Sequence, residues 1–260
     1  MIDGIKEIIN EDIIKYSLYV EDLNKEKKLY SYNINQKVSS ASIIKIFIMG
    51  EAYNQMNKGK ILLEKRANIS QKNIVKGSII RNLSKNDYSI NDLIFLMINL
   101  SDNIATNQLI DILGMKNINN FIKKVGLENT VLNRKMMDFK MKEKGLDNIT
   151  TVEDVSIFLR KLYNGEIINK DISKEILHIM KKQLDNRMMS RNIDKSITKI
   201  SHKTGDLDRL NHDSGIIYTK DTDYIFTMFT WDGIDNLYGR KLIGEVSEKI
   251  YNYITKNYDD

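Results

Sequence analysis

The sequence predicts a mixed α/β (α+β) fold, in which an antiparallel sheet is flanked by N- and C-terminal helices and interrupted by an inserted, mostly helical lobe. The first observation is a strand-like alternation of apolar and polar residues near both ends of the chain, at 15–20, 29–32, 197–203, 215–219 and 224–230. The second is helical periodicity between those groups of strands. Strands at both ends imply one sheet whose outer strands come from opposite termini. We therefore expect a single domain over residues 1–260, with a sheet lobe at about 1–40 and 195–260 and a helical lobe at about 41–194.

The first forty residues predict a short amphipathic helix followed by a hairpin. Residues 1–10 carry apolar side chains at helical spacing. Tyr16, Leu18 and Val20 alternate with polar neighbours, which indicates a strand, and Asn24-Lys25 has the composition of the turn that leads into the returning strand.

The middle of the chain predicts helices separated by polar breaks. Apolar periodicity indicates helices at 42–57, 91–100, 103–113, 116–125, 150–163 and 172–183, and a final helix at 238–256. Residues 60–89 and 127–149 lack a steady period, so we expect short helices and loops in the first and a long structured loop in the second. Thr150-Thr151-Val152-Glu153 has capping-box spacing and predicts the start of its helix.

Composition excludes several classes of protein. The chain has no cysteine, which rules out disulfides, thiol catalysis and cysteine-metal sites. Its net charge of +5 is spread along 260 residues and does not indicate nucleic-acid binding. No stretch approaches the roughly 18 apolar residues of a membrane span, and residues 1–10 do not resemble a signal peptide. We expect a monomer with no membrane span, cytoplasmic as the sequence is written, or extracytoplasmic if a leader has been removed.

The three histidines do not predict a metal site. His178 lies in a predicted helix, His202 precedes Lys203, and His212 falls in a predicted strand connection beside Asp213. No two of them have the spacing of metal ligands, and His212-Asp213 is typical of a turn. We therefore expect no metal and no other cofactor.

The most informative segment is the apolar run from Ser42 to Met49, in which Lys45 is the only charge. Its helix is apolar nearly all round, which is typical of a buried helix. A buried, unpaired ammonium costs several kcal/mol, so such a lysine loses its proton or finds a partner. Three-residue spacing puts Ser42 and Lys45 on one helix face, where a desolvated lysine can activate a hydroxyl. The alternative is a lysine that reaches solvent and merely follows a serine.

A second serine-x-x-lysine run tests this interpretation. Ser196 and Lys199 fall in a predicted strand, where alternation directs positions three apart to opposite faces. We expect that copy to be inactive.

Two further triplets carry polar chemistry. Ser101-Asp102-Asn103 opens a predicted helix, although Ser, Asp and Asn are also the preferred residues for capping helices. Lys203-Thr204-Gly205 closes a predicted strand, where a turn glycine is the ordinary explanation. The order Ser-x-x-Lys, Ser-Asp-Asn, Lys-Thr-Gly, on helix, helix start and strand, is far rarer than any one of them. Together they resemble class A β-lactamases and the related penicillin-binding proteins, over roughly residues 15–255.

The resemblance implies a role for each matching residue. Ser42 is expected to be the acylated nucleophile, Lys45 to take or relay its proton, and Ser101 to pass a proton to the leaving nitrogen. The other roles fall to residues that hold the substrate or the lysines: Asn103 on Lys45 and a substrate amide, Lys203 and Thr204 on the substrate carboxylate, Gly205 in letting the substrate approach the strand, and the backbone N–H groups of Ser42 and Asp206 as the oxyanion hole.

The chain departs from the family pattern at two places. The family's long loop carries Leu-x-Arg-x-Glu, whose glutamate activates the deacylating water, whereas the matching run here is Leu132-Asn133-Arg134-Lys135-Met136. Asp138 can replace that glutamate only if the loop is rearranged, and otherwise is a solvated charge or a partner of Arg134. Asp206 stands where small residues are common, and its carboxylate could repel an anionic substrate.

These observations favour a serine hydrolase that opens the β-lactam ring through a Ser42 acyl-enzyme, with slow deacylation. A D-Ala-D-Ala peptidase or esterase on the same scaffold is the alternative, since Met136 removes the residue that best marks the lactamases. A third class is a sensor domain that is acylated once by penicillin and does not turn over. The expected substrate is a small β-lactam or a peptidoglycan-like peptide.

Overall fold

An antiparallel sheet organises the residues that the computed structural model describes, which are 3–257. Its five strands are β1 (Lys15–Asp22), β2 (Lys27–Tyr32), β7 (Lys199–Leu207), β8 (Leu210–Tyr218) and β9 (Asp223–Trp231). The strand order is β2-β1-β9-β8-β7, so one edge comes from the N-terminal part of the chain and the other from the C-terminal part. This confirms the predicted fold class and sheet topology.

Helices and short strands fill the rest of the described chain. The helices are α1 (Asp3–Lys6), α2 (Lys45–Asn57), α3 (Ile90–Asn99), α4 (Asn103–Leu113), α5 (Met115–Val125), α6 (Phe139–Glu143), α7 (Val152–Tyr163), α8 (Lys170–Met180) and α9 (Asn236–Asn257). The short strands are β3 (Val38–Ser39), β4 (Arg66–Asn68), β5 (Asp87–Ser89) and β6 (Ile149–Thr150). None of the helices in residues 3–257 has both the length and the apolar character needed to cross a membrane.

Two apolar cores cover the two faces of the sheet. Neighbouring residues of β9 divide between them, because successive strand residues point to opposite faces. Ile225 and Phe229 join the core built with α2 and the other helices of the middle of the chain. Phe226 and Met228 join the core built with α1 and α9.

The two most central strands are longer than the sequence predicted. β7 and β8 form one hairpin with a tight connection, in which Arg209 has a φ of 54°. Lys203-Thr204-Gly205 therefore lies within β7 and does not close it, while His212 and Asp213 lie inside β8 and not in a turn. Alternation failed as a guide because both faces of β8 are buried.

Three smaller expectations were also wrong. The N-terminal helix described is only Asp3–Lys6, and the following residues form turns; positions 1 and 2 of the predicted helix lie outside the described residues. The polar segment 60–89 contains the β4–β5 pair, whose three-residue strands are too short for a periodic signal. The cap of α7 is Thr151, which accepts from the Asp154 N–H, so the capping pair is shifted one residue from the prediction.

α2 crosses the larger core and carries the catalytic candidates at its start. Phe47 packs edge-on against Phe158 of α7, with ring centroids 5.1 Å apart, and Phe158 also meets Phe121 of α5. At Gly50 a Cβ would lie 2.5 Å from the Phe121 ring, so the helix can approach its neighbours only with glycine there.

Replacing Phe158 with alanine should therefore lower the free energy of unfolding by about 3–5 kcal/mol, because it leaves a cavity among these rings. Urea denaturation of the purified protein measures this value. Phe139→Ala is the matched control: Phe139 is 50% exposed, and its loss should change stability by less than about 0.5 kcal/mol. Equal effects of the two substitutions would contradict the packing described.

Candidate active site

Ser42 lies in a 3-10 turn, Ala41–Ile44, that leads into α2. The turn is entered through Ala41, whose φ of 44° is in the left-handed region, and Ile43 N donates to Ser40 O. The first N–H groups of a helix have no partner within the helix. The Ser42 N–H is one of these, and it is available to a ligand carbonyl.

Gly205 allows β7 to lie against this turn. A Cβ at position 205 would be 3.1 Å from the Ala41 Cβ and 3.3 Å from the Ser42 backbone nitrogen. The structure thus gives Gly205 a packing role that the sequence analysis did not foresee, since the expected approach was that of the substrate to the strand.

His212 connects the sheet to the segment before the turn. Its Nε2 lies 2.9 Å from Ser39 O and its Nδ1 2.7 Å from Asn211 O, while the ring stacks on Phe229. Burial lowers the pKa of His212 to about 4, so the ring is neutral near pH 7 and donates only one of the two hydrogen bonds. Its position opposite Gly205 depends on the β7–β8 register, which the sequence pattern did not reveal.

Lys45 is fully buried at the first turn of α2, as its apolar surroundings predicted. Its Nζ donates to Ser101 O at 2.7 Å, to Asn103 Oδ1 at 3.0 Å and to Ser101 Oγ at 3.1 Å. Burial and, secondly, the positive charge of Lys203 hold the pKa of Lys45 well below its ordinary value. The ammonium group therefore gives up its proton more readily than that of an exposed lysine.

Lys203 approaches the same hydroxyl from the sheet side. Its Nζ donates to Ser101 Oγ at 3.2 Å and to Thr204 O at 2.9 Å. Burial lowers the pKa of Lys203 to about 8. One serine hydroxyl is thus shared by two buried lysines, one from α2 and one from β7.

Ser101 is held in an unusual backbone conformation between α3 and α4. Its φ of 54° is left-handed, which is uncommon outside glycine and costs of order 1–3 kcal/mol. The next residue, Asp102, fixes this geometry: one carboxylate oxygen accepts from Ala105 N at 2.8 Å and the other from Ile80 N at 3.2 Å. Ser78 adds a second cap, because its Oγ accepts from the backbone N–H groups of Asn103 and Ile104.

These groups line one cleft with a volume of about 620 Å³. Ser42, Ser101, Asn103, Thr204 and Asp206 are all on its wall. The opposite wall is formed by the end of α3 and the segment 183–187.

Asp206 does not present a free carboxylate to this cleft. Arg240 donates to it through Nη2 at 3.0 Å, Arg187 through Nη2 at 3.3 Å, and Asn211 through Nδ2 at 2.5 Å. The sequence analysis expected repulsion of an anionic substrate, but these two cations offset the charge. Sequence alone could not reveal them, since both come from segments far from Asp206 in the chain.

The long loop is anchored without the contacts expected of Asp138. Arg134 pairs with Asp147, its Nη2 lying 2.7 Å from the carboxylate. Asp138 instead caps α6 by accepting from Met141 N at 3.2 Å, so it is not the partner of Arg134. None of Arg134, Met136 and Asp138 is among the described residues that line the cleft.

Met136 is buried where the family pattern has its glutamate. Its side chain is 7% exposed. Asn107 of α4 holds the backbone of Met136 from both sides, accepting from its N–H at 2.7 Å and donating to its C=O at 3.2 Å. The position is thus fixed, but it offers a thioether and no base.

The second serine-x-x-lysine run has no comparable surroundings. Ser196 lies in a turn before β7 and not in the strand, so the argument from alternation does not apply to it. Its hydroxyl donates to Asp194, and both Ser196 and Lys199 are exposed. Solvation, and not the direction of the side chains, is what separates this copy from Ser42 and Lys45.

Known structures with this architecture are enzymes of one group. A beta-lactamase from Sphaerobacter thermophilus DSM 20745 superposes with a TM-score of 0.89 at 22% sequence identity, covering 97% of each chain. PBP-A superposes with a TM-score of 0.88 at 27% identity, covering 98% of this chain and 95% of its own. A leucine-to-glutamate mutant of PBP-A, in its acyl-enzyme complex with penicillin G, gives a TM-score of 0.88 at 27% identity, covering 98% of this chain and 96% of its own.

The sequence itself matches the model of one family over almost its whole length. The match to the beta-lactamase enzyme family runs from residue 2 to residue 254 and so includes all three motifs. The likeness that the motifs indicated is therefore supported by both sequence and fold. The chain belongs to the beta-lactamase enzyme family.

Proposed function

We propose that this protein is a serine β-lactamase of class A type that opens the β-lactam ring through an ester on Ser42. The observation that carries the proposal is the hydroxyl of Ser101, bonded by both Lys45 and Lys203 in the cleft that Ser42 lines. Two buried lysines around one hydroxyl provide a short path for a proton from a nucleophile to a leaving group.

Acylation follows from these positions. The Ser42 oxygen attacks the lactam carbonyl carbon while its proton passes to Lys45, whose lowered pKa makes the neutral amine accessible. The C–N bond then breaks, and the leaving nitrogen takes a proton from Ser101, which is replenished from Lys45. The products are a Ser42 ester and a protonated ring nitrogen, and no other reactant is needed.

The cleft supplies the other groups that this step requires. The backbone N–H groups of Ser42 and Asp206 would stabilise the oxyanion, which is usually the largest single catalytic contribution. Asn103 would bind the substrate amide through the part of its side chain that Lys45 does not use. Thr204 and the Lys203 ammonium would hold the substrate carboxylate.

Deacylation is the weak step of the proposed cycle. Hydrolysis of the ester needs an activated water, and general-base assistance contributes about 10²–10⁴-fold. Met136 gives the water no base, and Asp138 is used to cap α6. We therefore expect the acyl-enzyme to accumulate.

A D-Ala-D-Ala peptidase is the second candidate, and the same methionine favours it. Such an enzyme also acylates with penicillin but releases it slowly, so a missing deacylating base suits it. The 27% identity to PBP-A, whose mutant forms an acyl-enzyme with penicillin G, adds support. Turnover of a D-Ala-D-Ala peptide without turnover of penicillin would select this candidate, and single acylation without turnover of either would select a sensor.

Replacing Ser42 with alanine should abolish covalent labelling by benzylpenicillin, because no other hydroxyl lies beside the two buried lysines. Intact-mass spectrometry after incubation measures the adduct. Ser196→Ala, which removes the exposed serine of the other run, should be labelled like the wild type. Labelling that survives in Ser42→Ala, or that is lost in Ser196→Ala, would refute the assignment.

Replacing Met136 with glutamate should raise the steady-state hydrolysis rate of a chromogenic cephalosporin more than the rate of the initial burst. The reason is that the new carboxylate supplies the missing base to the second step only. Stopped-flow absorbance separates the two rates, and thermal melting checks that the buried glutamate is tolerated.

Met137→Glu is the control, since it adds the same charge one residue away and should leave the ratio of the two rates unchanged. The proposal is overturned if the wild type hydrolyses penicillins quickly without a burst and Asp138→Asn loses that activity. Asp138 would then be the deacylating base.

A further inference from the structure

The carboxylate of Asp206 occupies two arginines at the mouth of the cleft. Arg240 contacts both of its oxygens, at 3.0 Å through Nη2 and 3.3 Å through Nε, and Arg187 contacts one at 3.3 Å. Such paired contacts are how arginine recognises carboxylates in ligands. A side chain of the protein itself thus fills a position that suits a substrate carboxylate.

This occupied position lies next to the proposed carboxylate site of the substrate. Thr204 and Asp206 are two residues apart on β7, so their side chains share one face of the strand. Both line the cleft beside Ser42. Two residues along a strand span about 7 Å, which is within the range of unscreened electrostatic interaction.

The charges around Asp206 balance each other. Arg187 also binds Asp185, at 2.7 Å and 2.8 Å, so the two arginines face two carboxylates. Among these described groups and the lysine beneath them, Lys203 is left as the cation that attracts an anionic substrate. Without Asp206, the positive charge of Arg240 would add to it.

We propose that Asp206 is a specificity-determining residue, which weakens the attraction of the cleft for an anionic substrate by engaging Arg187 and Arg240. This inference rests on the function proposed above. The cleft is consequently more tolerant of substrates that lack a negative charge next to the reacting bond than it would be with a neutral residue at position 206.

Benzylpenicillin and its methyl ester test the proposal, because they differ in this one charge. The measured quantity is the ratio of their second-order rate constants for acylation of the full-length protein. Asp206→Asn should raise the ratio of acid to ester about tenfold, as expected for one unit charge at about 7 Å partly screened by solvent. The increase should shrink as salt is added.

Asp208→Asn is the matched control, since it removes the same charge from the exposed hairpin connection and should change the ratio less than twofold. Arg240→Gln is an independent variant and should lower the ratio, because it leaves Asp206 less compensated. A ratio that stays constant in both Asp206→Asn and Arg240→Gln overturns the inference and assigns Asp206 a purely structural role. Failure of the wild type to be acylated by either compound overturns the proposed function as well.

Discussion

The burial of the Lys45 ammonium is the constraint on which the rest of the site depends. An ammonium group removed from water needs compensation, and here three oxygen atoms on Ser101 and Asn103 provide it. Those acceptors lie on the connection between α3 and α4, whereas Lys45 belongs to α2. The hydrogen bonds of one lysine therefore join three helices at the point where Ser42 enters the cleft.

The surroundings of Lys45 hold it where its proton is most easily moved. The larger apolar core encloses α2, and Lys203 brings a second positive charge from the sheet to the same serine hydroxyl. Strain at Ser101 is retained because Asp102 and Ser78 cap the helix that follows it. The sheet contributes through Gly205, which lets β7 reach the Ser42 turn. Neither the sheet nor the helices alone would assemble the cleft.

The contrast between the two steps of the proposed reaction has a structural cause. Acylation uses groups that are tied to the sheet and to the ends of long helices. Deacylation depends on the loop around Met136, which is attached through its backbone to Asn107 and through Arg134 to Asp147. A loop anchored in this way can keep its shape while its side chain at position 136 changes. The loop can therefore lose a base without loss of the fold.

Sequence patterns predicted the features that depend on local periodicity. The order of helices and strands, the burial of Lys45 and the importance of three separate motifs could all be inferred from apolar spacing and residue type. The patterns failed where both faces of a strand are buried, as around His212, and where partners are distant in the chain, as with Arg240 and Asp206. They also could not reveal the left-handed conformation of Ser101, because serine gives no signal for it. These features depend on tertiary contacts that no local pattern encodes.

The protonation of Lys45 is the most direct test of this account. Carbon-13 labelling of lysine Cε allows each ammonium group to be titrated by NMR, and Lys45→Met identifies the signal. Because burial and the charge of Lys203 disfavour the ammonium form, Lys45 should titrate well below the ordinary lysine value of about 10.4. A Lys45 signal that remains protonated up to that ordinary value would contradict the central claim.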